Sequence, residues 1–355
     1  MSVARYERVR LAALGFELAP VVVTTVELEE RLAPLYRALA LPRGQVAHLT
    51  GIDERRWWPP GTRLADAAAA AARRALARAE LPAERLGALI YSGVCREGYE
   101  PATATAVAAR LGVGSDATLY DLSNACLGTM NGILEIANRI ELGQIEAGLV
   151  VSAESAREIV EQTIAELNAT PSMERYVSAL ATLTGGSGAA AVLLSRDDAL
   201  PGAARRPRLR GGVATAAPEH HDLCRWGVHP DPEGRPGVRI ERMTTDSVGV
   251  MRHGVALGTE TWRRFLAAMG WSREEVGRII CHQVGSAHRD GILAAIGVAA
   301  ERDFVTYPYL GNIGTVSLPI TAAIAEERGV LRPGQNVAFL GIGSGLVCLM
   351  LGWEW

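Results

Sequence analysis

One order of elements occurs twice in these 355 residues, and that repetition limits the possible folds more than any single motif does. An alanine-rich stretch, Leu64 to Ala79, reads as a helix and leads through Leu81-Pro82-Ala83-Glu84-Arg85-Leu86-Gly87 into the strand-like run Ala88-Leu89-Ile90-Tyr91. Later, Glu260 to Met269 reads as a helix and leads through Trp271-Ser272-Arg273-Glu274-Glu275-Val276-Gly277 into Arg278-Ile279-Ile280-Cys281. Each passage continues into another helical segment that closes on Leu111-Gly112-Val113 or Ile296-Gly297-Val298. A strand and a polar turn follow in both, carrying Cys126 in the first and Asn312 in the second. The final strands also correspond, Ala147 to Ser152 and Asn336 to Gly341. Helix alternating with strand at this density predicts an α/β fold of two similar halves, with mostly parallel sheets and helices on their faces. The expected division is a first half over 1–195, a connector and loop region over 196–246 rich in Arg, Pro and Gly, and a second half over 247–355.

Composition narrows the function class. A chain of this length with 48% hydrophobic and only 5% aromatic residues can bury a large core. The five cysteines at 95, 126, 224, 281 and 348 are scattered, odd in number and form no CxxC pair, so neither a disulfide framework nor a zinc site is indicated and a reducing cytoplasm fits. His220, His221 and Cys224 lack a fourth ligand at metal-binding spacing and read as channel-wall or surface residues. No apolar run approaches the ~18 residues of a membrane span, and Arg5, Arg8 and Arg10 precede no leader-like apolar segment. A net charge of −3 speaks against a nucleic-acid surface, the Arg205 to Arg210 cluster reading as a solvated connector.

Four places combine into a site. In Ser123-Asn124-Ala125-Cys126-Leu127-Gly128-Thr129 the cysteine lies between a strand-like run and an apolar helix start, where backbone N–H groups and the helix dipole favour a thiolate. A small buried hydrophobe in a strand–helix turn fits Cys126 equally well. His282, after the Ile279-Ile280-Cys281 strand, reads either as a hydrogen-bonded core histidine or as a donor to substrate. Asn312, in Leu310-Gly311-Asn312-Ile313-Gly314, suits a left-handed turn as well as a donor role. The loop Gly341-Ile342-Gly343-Ser344-Gly345 lets backbone approach a ligand closely. All four stand at the carboxyl ends of predicted strands, where α/β sheets place ligands.

Together these motifs resemble the Cys-His-Asn constellation of the thiolase superfamily, in its ketoacyl synthase III branch. Thr50-Gly51-Ile52 followed by Arg55 and Arg56 resembles that branch's early motif, and the likeness runs nearly the whole chain in the family's order. The resemblance implies a thiolase fold, five αβαβα layers made of the two halves. Tyr99-Glu100-Pro101-Ala102-Thr103, His282-Gln283-Val284, Leu223-Cys224-Arg225 and Met243-Thr244-Thr245-Asp246 look closer to the OleA-type enzymes, which join two fatty acyl-CoA molecules. Where ketoacyl synthase III has Asn and Arg after its His-Gln, this chain has Gly285 and Ala287, which makes malonyl carrier protein a less fitting partner.

The resemblance assigns roles. Cys126 would carry the acyl group and His282 and Asn312 would bind a thioester oxygen. The backbone of Ser344 and Gly345 would serve an oxyanion, and Arg55 and Arg56 would bind substrate. A condensation without decarboxylation requires a base for the α-proton, and Glu100, acting across a homodimer, fits. Glu100 standing before Pro101 also suits a helix-start role, and Glu97 is a nearby rival carboxylate outside the motif. The implied reaction takes long-chain acyl-CoA to a 2-alkyl-3-keto acid, with no metal or redox cofactor and coenzyme A entering only as part of the substrate. Such a product suits olefin or β-lactone biosynthesis, with an assembly of pathway enzymes as a further possible partner. The alternatives are a decarboxylating 3-oxoacyl-ACP synthase III, a related acyltransferase, or a catalytically silent partner subunit.

Overall fold

A computed structural model of the chain describes residues 2–230 and 239–355; residues 231–238 of the expected connector lie outside the described residues. The strands in chain order are β1 (Ser2–Arg5), β2 (Val9–Leu18), β3 (Val21–Thr24), β4 (Glu54–Trp57), β5 (Ala88–Ser92), β6 (Thr118–Leu122), β7 (Ala147–Glu154), β8 (Gly188–Arg196), β9 (Arg208–Ala216), β10 (Cys224–Pro230), β11 (Arg239–Thr245), β12 (Val276–Cys281), β13 (Asn336–Gly343) and β14 (Val347–Glu354).

The duplication is written into the sheet. The first half has the order β6-β5-β7-β8-β2, the second β12-β13-β14-β9, and a single bridge between Arg10 and Arg208 joins β2 to β9. Pairing types match position by position: β5 and β7 are parallel as are β12 and β13, and β8 and β14 then run antiparallel to both neighbours. Where β6 lies beside β5, the second half keeps only an isolated bridge from Ile279 to Asp303. The sheets are thus mixed and not mostly parallel as the alternation suggested. The Ser344–Leu346 turn between β13 and β14 is too short for a crossover and enforces the antiparallel pairing. β9, inside the span read as connector, takes the place in the second half that β2 takes in the first. Arg208 and Arg210, read there as solvated, lie on β9 and pair with Glu354 of β14.

The period-2 alternation of the strands sorts the core into layers. Leu89, Tyr91, Leu149, Val151, Ala191 and Leu193 face the outer helix Leu64–Ala79. Their neighbours Ile90, Val150, Val192 and Leu194 face inward, onto helices Gly128–Glu141 and Ser317–Glu327 and onto Val337, Phe339, Leu349 and Leu351 of the second sheet. The opposite face of that sheet, with Ala338, Leu340 and Met350, packs on Trp262, Phe265 and Met269 of the outer helix Ser247–Met269. This is the αβαβα stack. Alanine is the helical residue of choice at the first interface because a Cβ at Gly15 on β2 would strike the Ala71 carbonyl, so only small side chains permit that spacing. β10 and β11 pair antiparallel in a separate two-stranded sheet, held to the body by the Arg242–Glu166 ion pair and by Gln162 Nε2 donating to the Glu241 carbonyl.

Candidate active site

Cys126 stands in the turn between β6 and the helix Gly128–Glu141. Ala125 is held at φ 45°, a left-handed conformation that costs a non-glycine residue about 1 kcal/mol or more and marks an imposed geometry. The turn closes by Leu127 and Gly128 N–H donating to the carbonyls of Asn124 and Ala125. Gly341 leaves the space that Leu127 and Met130 occupy, which brings β13 against the turn. Thr129 N–H donates to Thr315 Oγ1 at 2.9 Å, tying the cysteine's helix to the loop after Asn312.

A cavity of about 520 Å³ opens over the thiol, and Asn312, Ser344, Glu154, Cys224 and Met243 share its wall. Burial pushes the Cys126 thiol up to about 12, with the neighbouring Cys224 and Glu154 acting in the same direction and its own backbone opposing them. The sequence reading expected the helix dipole to favour thiolate; in this apolar enclosure desolvation wins. Asn312 is not itself left-handed. Gly311 and Gly314, at φ 69° and 58°, make the turns on either side of it. Its Oδ1 accepts from Gly314 N–H at 3.1 Å, so the side chain has its Nδ2 donor left for a ligand. Ser344 lies on the cavity wall in the β13–β14 turn, and Gly345, φ 130°, continues that turn without lining the cavity.

His282 follows β12 and donates its backbone N–H to the Leu340 carbonyl. Its side chain is buried, Nδ1 has no partner, and it lines a separate small cavity of about 30 Å³ with His288, Ile342 and Cys348. Burial, and secondarily His288, hold its pKa down to about 3, so the ring is neutral. The Cys126 cavity thus collects Cys126, Asn312 and Ser344, with His282 behind the adjacent Gly341-Ile342 stretch.

The other expected residues divide. Arg55 is fully buried, with Nη1 donating to Thr25 Oγ1 at 2.9 Å and Nη2 to the Leu183 carbonyl at 3.4 Å. It braces the antiparallel pair β3–β4, and neither it nor Arg56 is among the residues lining the cavity. The substrate-binding assignment of Arg55 is corrected accordingly, since its guanidinium is spent inside the fold; that of Arg56 stays a proposal. Glu97 accepts from Ala65 N–H at 2.8 Å and pairs with Arg63, capping the helix Leu64–Ala79. Glu100 is exposed on the segment before helix Thr103–Leu111. The start of that helix is capped by Asp121, whose two oxygens accept from Thr103 and Ala104 N–H at 2.8 Å each, so the helix-start role considered for Glu100 is already filled.

Sequence reasoning missed Glu154, at the end of β7, and left Cys224 on an unspecified wall. A glutamate ending an otherwise apolar strand, Ala147-Gly148-Leu149-Val150-Val151-Ser152-Ala153, was the available signal for the first. His220 stacks on His253 with centroids 3.7 Å apart, and His221 pairs with Asp222 at the surface. No helix is long and apolar enough to cross a membrane among the described residues.

Comparison with known proteins agrees with this geometry. Residues 60–196 match the family described as thiolase, N-terminal domain, and residues 266–355 that described as 3-oxoacyl-[acyl-carrier-protein] synthase III C terminal. The acyl-CoA:acyl-CoA alkyltransferase of Shewanella oneidensis is 53% identical over 99% of this chain and 100% of its own length. The protein of the same description from Xanthomonas campestris pv. campestris is 34% identical, over 99% of both chains. The cerulenin-bound crystal structure of Xanthomonas campestris OleA superposes with a TM-score of 0.92 over 99% of this chain and 98% of that one, at 34% identity. A cysteine-to-serine form of that enzyme, with bound lauric acid and lauroyl-CoA, gives 0.90 over 99% and 100% at the same identity. The chain belongs to the thiolase superfamily, in its ketoacyl synthase III branch, and within that branch to the OleA-type condensing enzymes.

Proposed function

We propose that this chain is an acyltransferase that condenses two long-chain fatty acyl-CoA molecules without decarboxylation, through an acyl-enzyme on Cys126. The observation that carries the reading is the single cavity on which Cys126, Asn312 and Ser344 meet. A neighbouring groove of about 810 Å³ shares Val94, Ser155, Ile159 and Trp226 with it and is lined by both signs of charge, Arg63, Arg96 and Arg239 against Glu97, Glu158 and Glu241. The relatives described as acyl-CoA:acyl-CoA alkyltransferases support the same substrates.

In the first half-reaction Cys126 Sγ adds to the thioester carbonyl, the bond to CoA breaks, and CoA leaves with the proton of the thiol. Backbone N–H groups of Cys126 and Ser344 hold the oxyanion, donors of this kind contributing about 10²–10³-fold each. In the second, Glu100 of the partner subunit takes an α-proton from another acyl-CoA while Asn312 Nδ2 binds its thioester oxygen, with neutral His282, which lines the smaller cavity beside Gly341 and Ile342, as the second donor that the family resemblance implies. The carbanion attacks the Cys126 thioester, the Cys126–acyl bond breaks, and the thiolate is reprotonated by Glu100. The 2-alkyl-3-ketoacyl-CoA so formed is hydrolysed to the 2-alkyl-3-keto acid and CoA. No electrons change hands, so the chemistry calls for no redox carrier. The exposed Tyr99-Glu100 tip suits a homodimer.

Myristoyl-CoA alone, added to the purified protein, should give free CoA and, after mild heating, a long-chain ketone. Product that forms only with malonyl carrier protein overturns the reading in favour of a decarboxylating synthase.

A further inference from the structure

Glu154 belongs to no role described so far. It ends β7, is only 4% exposed, and lies on the wall of the Cys126 cavity. Its Oε1 accepts from Val94 N–H at 3.0 Å and its Oε2 from Cys95 N–H at 3.1 Å. No cation pairs with it among the described residues; burial pushes its pKa up, and hydrogen bonds from Val94 and Cys95 are the first to oppose that.

Glycines let both neighbouring loops reach it. A Cβ at Gly93 would lie 3.2 Å from Oε1, and one at Gly314 would lie 3.3 Å from Cγ. Val94 and Cys95, half-buried, lead into the exposed run Arg96 to Pro101 that carries Glu100, and Gly314 belongs to the Asn312 loop. Thr315 in that loop in turn holds the cysteine's helix through Thr129. One side chain therefore touches the segment that delivers the base and the loop that binds the thioester, while facing the cavity of the nucleophile.

We propose that Glu154 is a positioning residue that joins the two half-sites, fixing the Val94–Cys95 turn from which the Glu100 segment departs and the loop that presents Asn312. The proposal rests on the roles given above to Glu100 and Cys126. Burial pushes the Glu154 pKa up, and its charge when ionised ranks after burial and Cys224 among the causes that raise the Cys126 thiol. Removing that charge should make the thiol more reactive even as condensation is lost.

Glu154→Gln tests this, because one acceptor oxygen becomes an amide facing a backbone N–H. Amide hydrogen exchange at Val94 and Cys95 should speed up about tenfold or more. Condensation should fall about tenfold relative to the acyl-enzyme burst measured by mass, and iodoacetamide should modify Cys126 several-fold faster at fixed pH. Glu154→Asp keeps the charge with a shorter reach, and should show fast exchange with wild-type alkylation. A residue needed only for folding would lower burst and condensation together and leave alkylation unaccelerated, which overturns the proposal, as does unchanged exchange at Val94 and Cys95. If wild-type protein acylates but never condenses, the proposed function has failed, and the exchange and alkylation measurements still decide the positioning role.

Discussion

The turn that carries Cys126 and the segment that carries Glu100 leave neighbouring strands of one sheet, β6 and β5, yet they are built in opposite ways. The first is locked by a left-handed Ala125, by β13 lying over Leu127 and by the Thr129–Thr315 bond, with its side chain enclosed. The second is anchored at Val94 and Cys95 by Glu154 and then runs out to a Tyr99 that is 91% exposed. The difference assigns the two halves of the reaction. On the proposed mechanism, acylation draws on groups of one chain, whereas the proposed base Glu100 is held out on the surface, open to a second subunit.

The largest effect separates these regions outright. Cys126→Ala should abolish acyl-enzyme and product alike, by ~10⁴-fold or more in rate, as read by mass spectrometry of the intact protein and by CoA release. Glu100→Ala should retain the burst of acylation while condensation falls ~10²–10⁴-fold, the range for a lost general base. Mixing the two inactive proteins under conditions that exchange subunits should restore about a quarter of wild-type condensation, because half of the dimers then hold one complete site in two. No recovery on mixing would place the base in the same chain as the cysteine.

Asn312→Ala lies between the two in kind. It removes one donor to the enolate oxygen, and condensation should drop about 10²–10³-fold with a smaller loss in the burst. A pH series sharpens the point further. The raised pKa of Cys126, about 12, means that alkylation of the free enzyme should climb about tenfold per pH unit from neutrality without a plateau below pH 10. His282 has its pKa lowered to about 3, so it stays neutral through the working range and adds no limb to the rate profile near pH 6.5. The same shift makes the unfolded chain bind the proton first as pH falls, so the stability that His282 contributes is present above pH 6.5 and is lost toward pH 3.

The repeat made much of this legible in advance. Leu64–Ala79 is a helix over the residues expected, and the strands anticipated near 88, 119, 147, 278 and 336 are all present. Their order in each half follows, because short punctuated elements of alternating period leave few ways to pair. β8 and β9 were not legible, since alanine- and glycine-rich runs such as Gly188-Ala189-Ala190-Ala191 carry little strand propensity and owe their form to burial between other strands. Cys126, Asn312 and Ser344 were identifiable because each stands in a turn whose glycines mark it. Arg55 misled for a physical reason: a buried arginine bonded to Thr25 and to the Leu183 carbonyl reads in a sequence like one that contacts a substrate. Glu154 was hidden inside an apolar strand, where a carboxylate is unexpected until its backbone donors are seen.

Glu97 gives the comparison its finest test, because it lies three residues from Glu100 and carries the same functional group. Glu97 Oε1 accepts the Ala65 N–H and Oε2 faces Arg63, so its carboxylate is occupied at the start of the helix Leu64–Ala79. Glu97→Gln retains one acceptor oxygen and loses the charge at that helix start, which should lower stability by about 0.5–1 kcal/mol. Condensation should stay within about twofold of wild type, a range expected for a helix cap remote from proton transfer. Thermal melting and product formation on the same preparation measure both. A loss of condensation as large as that of Glu100→Ala would mean that the exposed tip is not where the base resides, and that the segment acts through its anchored root.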